Sequence, residues 1–147
     1  MKQNRKNAIW IIAMAPLLAG IVFYLLFREP ILVSTWLGIE EYHFHHNVKY
    51  LNWFPSFVHQ FSFILLSWLA LGREHKWFVL SLWSLLNGLA EMGQALEGSW
   101  LSFFPSVLKT YFKNGSYSHE DMLAIVLATV VAYLVIDKYE KKDLKCI

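Results

Sequence analysis

Residues 8–27 form an apolar run of 20 residues without one charged side chain. A helix rises about 1.5 Å per residue, so such a run spans the roughly 30 Å hydrocarbon core of a bilayer. The run predicts a membrane-crossing helix. Lys2, Arg5 and Lys6 precede it, as basic residues precede a secretory signal. The small-x-small site Ala13-Met14-Ala15, however, follows a very short apolar stretch and is itself followed by Pro16, which disfavours cleavage. The helix is therefore expected to be retained.

Three further apolar runs predict spans at about residues 55–72, 77–96 and 121–137. Pro55 suits a first helical turn, because the N–H it lacks would have no partner there. The last run is short for a crossing and is expected to extend into flanking residues or to sit where the bilayer thins. With 56% of 147 residues hydrophobic and only 16% charged, one soluble core cannot hide the apolar side chains. The expected fold is all-α, a polytopic membrane helical bundle of about four transmembrane helices in a single domain, residues 1–147. An amphipathic interfacial helix is expected at about residues 100–113. There Trp100, Phe103, Phe104, Val107, Leu108 and Tyr111 recur at helical spacing among polar residues. Residues 29–54 are too few to cross and return, and are expected at the outer surface.

Orientation follows from Lys and Arg. Nine lie in the N-terminal segment, the turn near residue 74 and the C-terminal tail, against four in the alternate segments. Both termini of this multi-pass membrane protein are then expected to be cytoplasmic. The remaining charge is scattered: 13 Lys and Arg against 11 Asp and Glu make no basic stripe, which excludes nucleic acid as a partner. A single cysteine, Cys146, provides neither a disulfide framework nor a thiolate zinc site. No cofactor is expected.

Ionisable groups inside spans carry a free-energy cost, about 2.5–3.5 kcal/mol each at a helix centre on insertion scales, so those present point to function. On the third span Asn87, Glu91 and Gln94 share a face, with Ser84 and Gly88 beside them, and Glu91 lies about 8 Å of helix from the outer end. The second span starts outside with His59 in its first turns, next to Gln60 and one turn before Ser62. The fourth starts outside with Asp121 in its first turn. His59, Glu91 and Asp121 thus reach a similar depth and are the candidate catalytic groups, suited to acid–base work. Asn87, Gln94, Ser62 and Ser118 are the candidate binding residues.

Structural roles compete with this reading. Ser118 and Asp121 fit a capping box, in which Asp121 reaches back to the Ser118 N–H. His59 and Glu91 can form a clasp between helices. The cluster Glu40, Glu41, His43, His45 and His46 matches no established metal-site spacing, so no metal is expected. No nucleophile motif, phosphate-binding loop or His-Glu-x-x-His occurs.

The stretch from Phe54 to about Leu134 resembles the VanZ-like family of small membrane proteins. Three motifs carry the likeness: His59-Gln60-Phe61-Ser62-Phe63, a His followed four residues later by an aromatic at the start of a span; Glu91-Met92-Gly93-Gln94, a Glu-x-x-Gln near the end of the next; and residues 115–124, a Gly-containing loop running into Asp121. Ile125 and Ala128 stand where that family usually has Asn and Gly, and Gly115 where it often has Arg, as in a divergent member. The resemblance implies four or five membrane helices and, as in some members, an effect on susceptibility to the glycopeptide teicoplanin.

Three functions fit these residues. One is a cell-envelope protein whose outer-leaflet pocket, lined by His59, Asn87, Glu91, Gln94 and Asp121, binds a lipid or lipid-linked envelope precursor. Another is an intramembrane hydrolase or transferase acting on such a lipid, with Glu91 or His59 as general base, though no activated nucleophile is identifiable. The last is an accessory subunit with a membrane-protein partner.

Overall fold

A computed structural model describes residues 2–27, 51, 53–95, 104–106, 108–109, 112 and 117–144. Among these the chain forms four α-helices and no strand: α1, Lys2–Phe27; α2, Phe54–Leu71; α3, Lys76–Gln94; and α4, His119–Leu144. The helices α2 and α3 are joined by a single 3-10 turn, Arg73–His75. The class is all-α.

Local chemistry explains the ends. Pro55 lies in the first turn of α2, and Gly72 closes the helix in the left-handed region, φ 98°, where its N–H donates to Trp68 O at 3.0 Å. Side chains avoid that conformation, so glycine allows the chain to reverse at once into α3. The polar opening residues continue α1 back to Lys2, beyond the apolar run. Pro16 inside α1 supplies no N–H to the carbonyl one turn before it. At its other end α4 outruns its apolar stretch and reaches Leu144. There Lys141 and Asp137, one turn apart, pair at 2.7 Å.

Helix α2 packs against each of the other three. It runs antiparallel to α1: a Cβ on Gly20 would stand 3.0 Å from Val58 Cγ1, and the Phe23 and Phe54 rings lie 5.5 Å apart. It runs parallel to α4, since Ser56 meets Asp121 near both starts and Trp68 meets Tyr139 near both ends. Ala124, Ala128 and Ala132 are buried along one face of α4, where small side chains allow close helix approach. The shared core is Ile9, Ala13, Ile64, Leu65, Trp68, Val79, Leu80, Ala128, Ala132 and Ile136.

Around this apolar core the bundle also exposes many large apolar side chains. Ile11, Leu18 and Ile21 on α1, Leu85, Leu89 and Met92 on α3, and Leu123, Val126, Leu127 and Leu134 on α4 are exposed. Gln60, Ser62 and Glu91 are buried. Two helical stretches, Phe54–Leu71 and His119–Lys141, are long and apolar enough to cross a membrane, and α1 contributes a shorter apolar stretch, Asn7–Phe23. Helix α3 is less apolar because one side carries Ser84, Asn87, Glu91 and Gln94.

At one end of the bundle Lys76, the first residue of α3, pairs with Glu140 of α4 at 2.6 Å. Tyr133 stacks on Trp77 beside it, and Arg73 lies over the Tyr139 ring. Of the segment expected as an interfacial helix, Ser106, Leu108, Lys109 and Phe112 are helical, and Lys109 N–H donates to Pro105 O at 2.9 Å. The histidine-rich stretch around His43, His45 and His46 lies outside the described residues.

Candidate functional site

The polar side chains gather in two layers. The deeper one centres on Gln60, which has no exposed surface. Its amide lies 3.2 Å from Ser84 Oγ and 2.8 Å from Thr129 Oγ1, and it faces the Asn87 amide. Either orientation of the amide engages both hydroxyls. Its nitrogen donates to them in one; in the other its oxygen accepts from them while the nitrogen reaches Trp83 O at 3.1 Å. The two hydroxyls are 2.9 Å apart, and Thr129 Oγ1 also donates to Ile125 O at 2.8 Å. One node therefore joins α2, α3 and α4. Below it the bundle is closed by Leu65, Val79, Leu80 and Ala132.

One turn above Asn87 on α3, and about 6 Å further along the axis, lies Glu91. Its Oε1 accepts the Ser118 backbone N–H at 2.8 Å. Ser118 is the N-cap of α4: its Oγ accepts from the Glu120 N–H at 3.2 Å, and its carbonyl takes the first helical bond from Met122. Asp121 bonds elsewhere, its Oδ1 accepting from Ser56 Oγ at 2.6 Å. The capping box expected between Ser118 and Asp121 is thus replaced. The Ser118 N–H is taken by a carboxylate from a different helix, which leaves Asp121 turned toward α2. Two carboxylates tie the start of α4 to both neighbours, and negative groups are favourable at that helix end.

The other expected residues are distributed around these layers. His59 is half-buried and stacks on Phe63, with ring centroids 5.7 Å apart; Phe63 stacks in turn on Trp83 at 4.9 Å. Trp83 Nε1 donates to Ser67 Oγ at 2.8 Å, a second polar link between α2 and α3. Ser62 is fully buried, and its hydroxyl has no hydrogen-bond partner among the described residues. Gln94 is half-buried at the end of α3. At Gly93, two residues after Glu91, a Cβ would stand within 3 Å of the Phe112 ring, so a larger residue there would displace that ring. Beyond the cap, Tyr117 Oη and His119 Nδ1 are 3.0 Å apart.

The structure thus brings Asn87 to Gln60, Glu91 to Ser118 and Asp121 to Ser56. Sequence reasoning missed Ser56 and Thr129, and it treated Gln60 only as a neighbour of His59. The spacing of Ser56 and Gln60 at i and i+4 was the available signal, since it puts two polar groups on one face of a largely apolar helix. Among the described residues no group of three His, Cys, Asp or Glu side chains is placed to hold a metal ion. Compared with protein-family models, with curated proteins and with solved structures, the chain matches none.

Proposed function

We propose that the chain is a multi-pass, VanZ-like protein of the bacterial cytoplasmic membrane that binds the headgroup of a lipid or lipid-linked envelope component at the outer leaflet. The four helices are its membrane-spanning elements, and the end carrying Ser56, Glu91, Ser118 and Asp121 faces outward. The exposed faces support this: apolar side chains turned outward suit a lipid surround, and the few polar groups kept inside suit a binding interior. Lys2, Arg5, Lys6, Arg73 and Lys76 then stand on the cytoplasmic side.

The observation that carries the reading is the convergence of Glu91, Ser118, Asp121 and Ser56 at one end, directly above the Gln60 node. These groups stand above the Gln60 node, with an apolar floor beneath it. Such an arrangement suits a headgroup entering from one side and does not make a conduit. A changed teicoplanin susceptibility on deletion is the expected phenotype.

Native mass spectrometry of protein purified in mild detergent, combined with lipid extraction, tests the reading. Wild type is expected to retain a specific lipid-linked molecule that Glu91→Gln loses. The glutamine oxygen still accepts the Ser118 N–H, so the loss reports the missing charge rather than unfolding. No specific molecule in wild type would overturn the reading.

A further inference from the structure

No nucleophile motif is legible in the sequence, but the fold builds a hydroxyl–carboxylate pair from two helices. Ser56 lies in the first turn of α2, and its Oγ donates to Asp121 Oδ1 at 2.6 Å. Both residues are half-buried, which leaves the pair reachable. The start of α2 has no side-chain cap among the described residues, Pro55 supplies no N–H there, and Asp121 is the side chain placed on the Ser56 hydroxyl. Asp121 is itself in the first turn of α4, a position that favours a negative side chain. A hydroxyl and a carboxylate bonded to it are the nucleophile and base that acyl transfer needs.

We propose that Ser56 is the nucleophile of an ester-cleaving reaction on an acylated lipid of the same leaflet, with Asp121 as its base. The proposal rests on the lipid-binding reading for the class of substrate and adds turnover to it. Ser56 Oγ attacks the ester carbonyl carbon as its proton passes to Asp121, and the carbonyl oxygen carries the negative charge of the tetrahedral intermediate. Collapse breaks the ester C–O bond, and the leaving alkoxide takes the proton from Asp121. Water then attacks the acyl-serine and gives a proton to Asp121. The departing Ser56 oxygen takes that proton back as the carboxylic acid is released.

The test is reaction of the full-length protein in mild detergent with an alkyl fluorophosphonate, which phosphonylates activated serines, read by intact and peptide mass spectrometry. One adduct per chain is expected, on Ser56. Ser56→Ala removes it, Asp121→Asn slows its formation at least tenfold, and Ser81→Ala, at an exposed position, leaves it unchanged. Circular dichroism establishes that each variant is helical. Ser56→Thr keeps a hydroxyl at this position and serves if the alanine variant does not fold, its adduct then forming more slowly and still on residue 56. No adduct in wild type, or one that survives Ser56→Ala, overturns the proposal. Lipid retained without an adduct overturns turnover and leaves the binding reading standing, whereas an adduct without retained lipid supports the nucleophile and overturns the binding reading.

Discussion

At Gln60 an amide with no exposed surface is matched from α3 by Ser84 and Asn87 and from α4 by Thr129. Leaving a buried amide unpaired costs about 1–3 kcal/mol on protein mutational scales, while hydrogen bonds between membrane helices contribute about 0.6 kcal/mol each on average. Gln60→Leu keeps the packing volume but takes a bond from Ser84, Asn87 and Thr129, leaving the two hydroxyls bonded to each other, and is expected to lower unfolding free energy by about 2 kcal/mol, measured by SDS-induced unfolding in detergent micelles. Adding Thr129→Val to Gln60→Leu should cost less than the two changes apart, because the first has already removed the shared bond. Strict additivity would show that the amide is not a common node. From the sequence, His59 was the marked residue of this turn and Gln60 was not. A titratable ring draws notice, yet here it packs by stacking on Phe63, and the neutral amide takes the fully buried position. Hydropathy locates a residue along a membrane helix; it says little about rotation, because lipid-facing and core-facing sides are both apolar.

For whole helices the apolar runs located α1 to α4 but not their ends. Expected spans at 8–27 and 121–137 became Lys2–Phe27 and His119–Leu144. Backbone hydrogen bonding continues through charged residues, whereas hydropathy stops at them. The tie between α3 and the start of α4 was not legible either, since it joins Glu91 to a backbone N–H distant in sequence. Glu91→Ala should therefore loosen the first turn of α4, raising amide exchange at residues 118–121 at least tenfold above Glu91→Gln, which retains an acceptor. Equal exchange in the two variants would show that Ser118 is held by other contacts. At the opposite end, side-chain exposures of 16% and 18% set the Lys76–Glu140 pair apart from Lys141–Asp137, where Lys141 is 71% exposed. Removing one partner of a well-buried pair costs about 3–5 kcal/mol, and exposed pairs are worth about 0–1 kcal/mol. Lys76→Ala, between those limits, is expected to lower stability by about 1–2 kcal/mol, and Lys141→Ala to leave the unfolding midpoint in place.

Across the whole molecule the exposed apolar faces of α1, α3 and α4 and the buried Gln60, Ser62 and Glu91 argue one physical case. In water, such a surface would drive aggregation, and the interior polar groups would gain nothing over hydration. In the proposed lipid setting, the outward side chains meet hydrocarbon, and Gln60 and Glu91 find partners on neighbouring helices. The direction of insertion then fixes which leaflet the Glu91 end meets. In the orientation proposed above, the Arg73–His75 turn, which joins α2 to α3 at the Lys76 end, lies on the side of the basic N-terminal residues, and the segment preceding α2 is expected on the other. With Cys146 replaced by Ser, a single cysteine introduced by His45→Cys should react with a membrane-impermeant maleimide in intact cells. One introduced by His75→Cys should react only after the cells are permeabilised. The reverse pattern would turn the Glu91 end toward the cytoplasm and remove the outer-leaflet ligand from consideration, whatever the chemistry of Ser56. Equal labelling of both positions in intact cells would place the chain outside the bilayer, and the apolar faces would then have to be covered by protein.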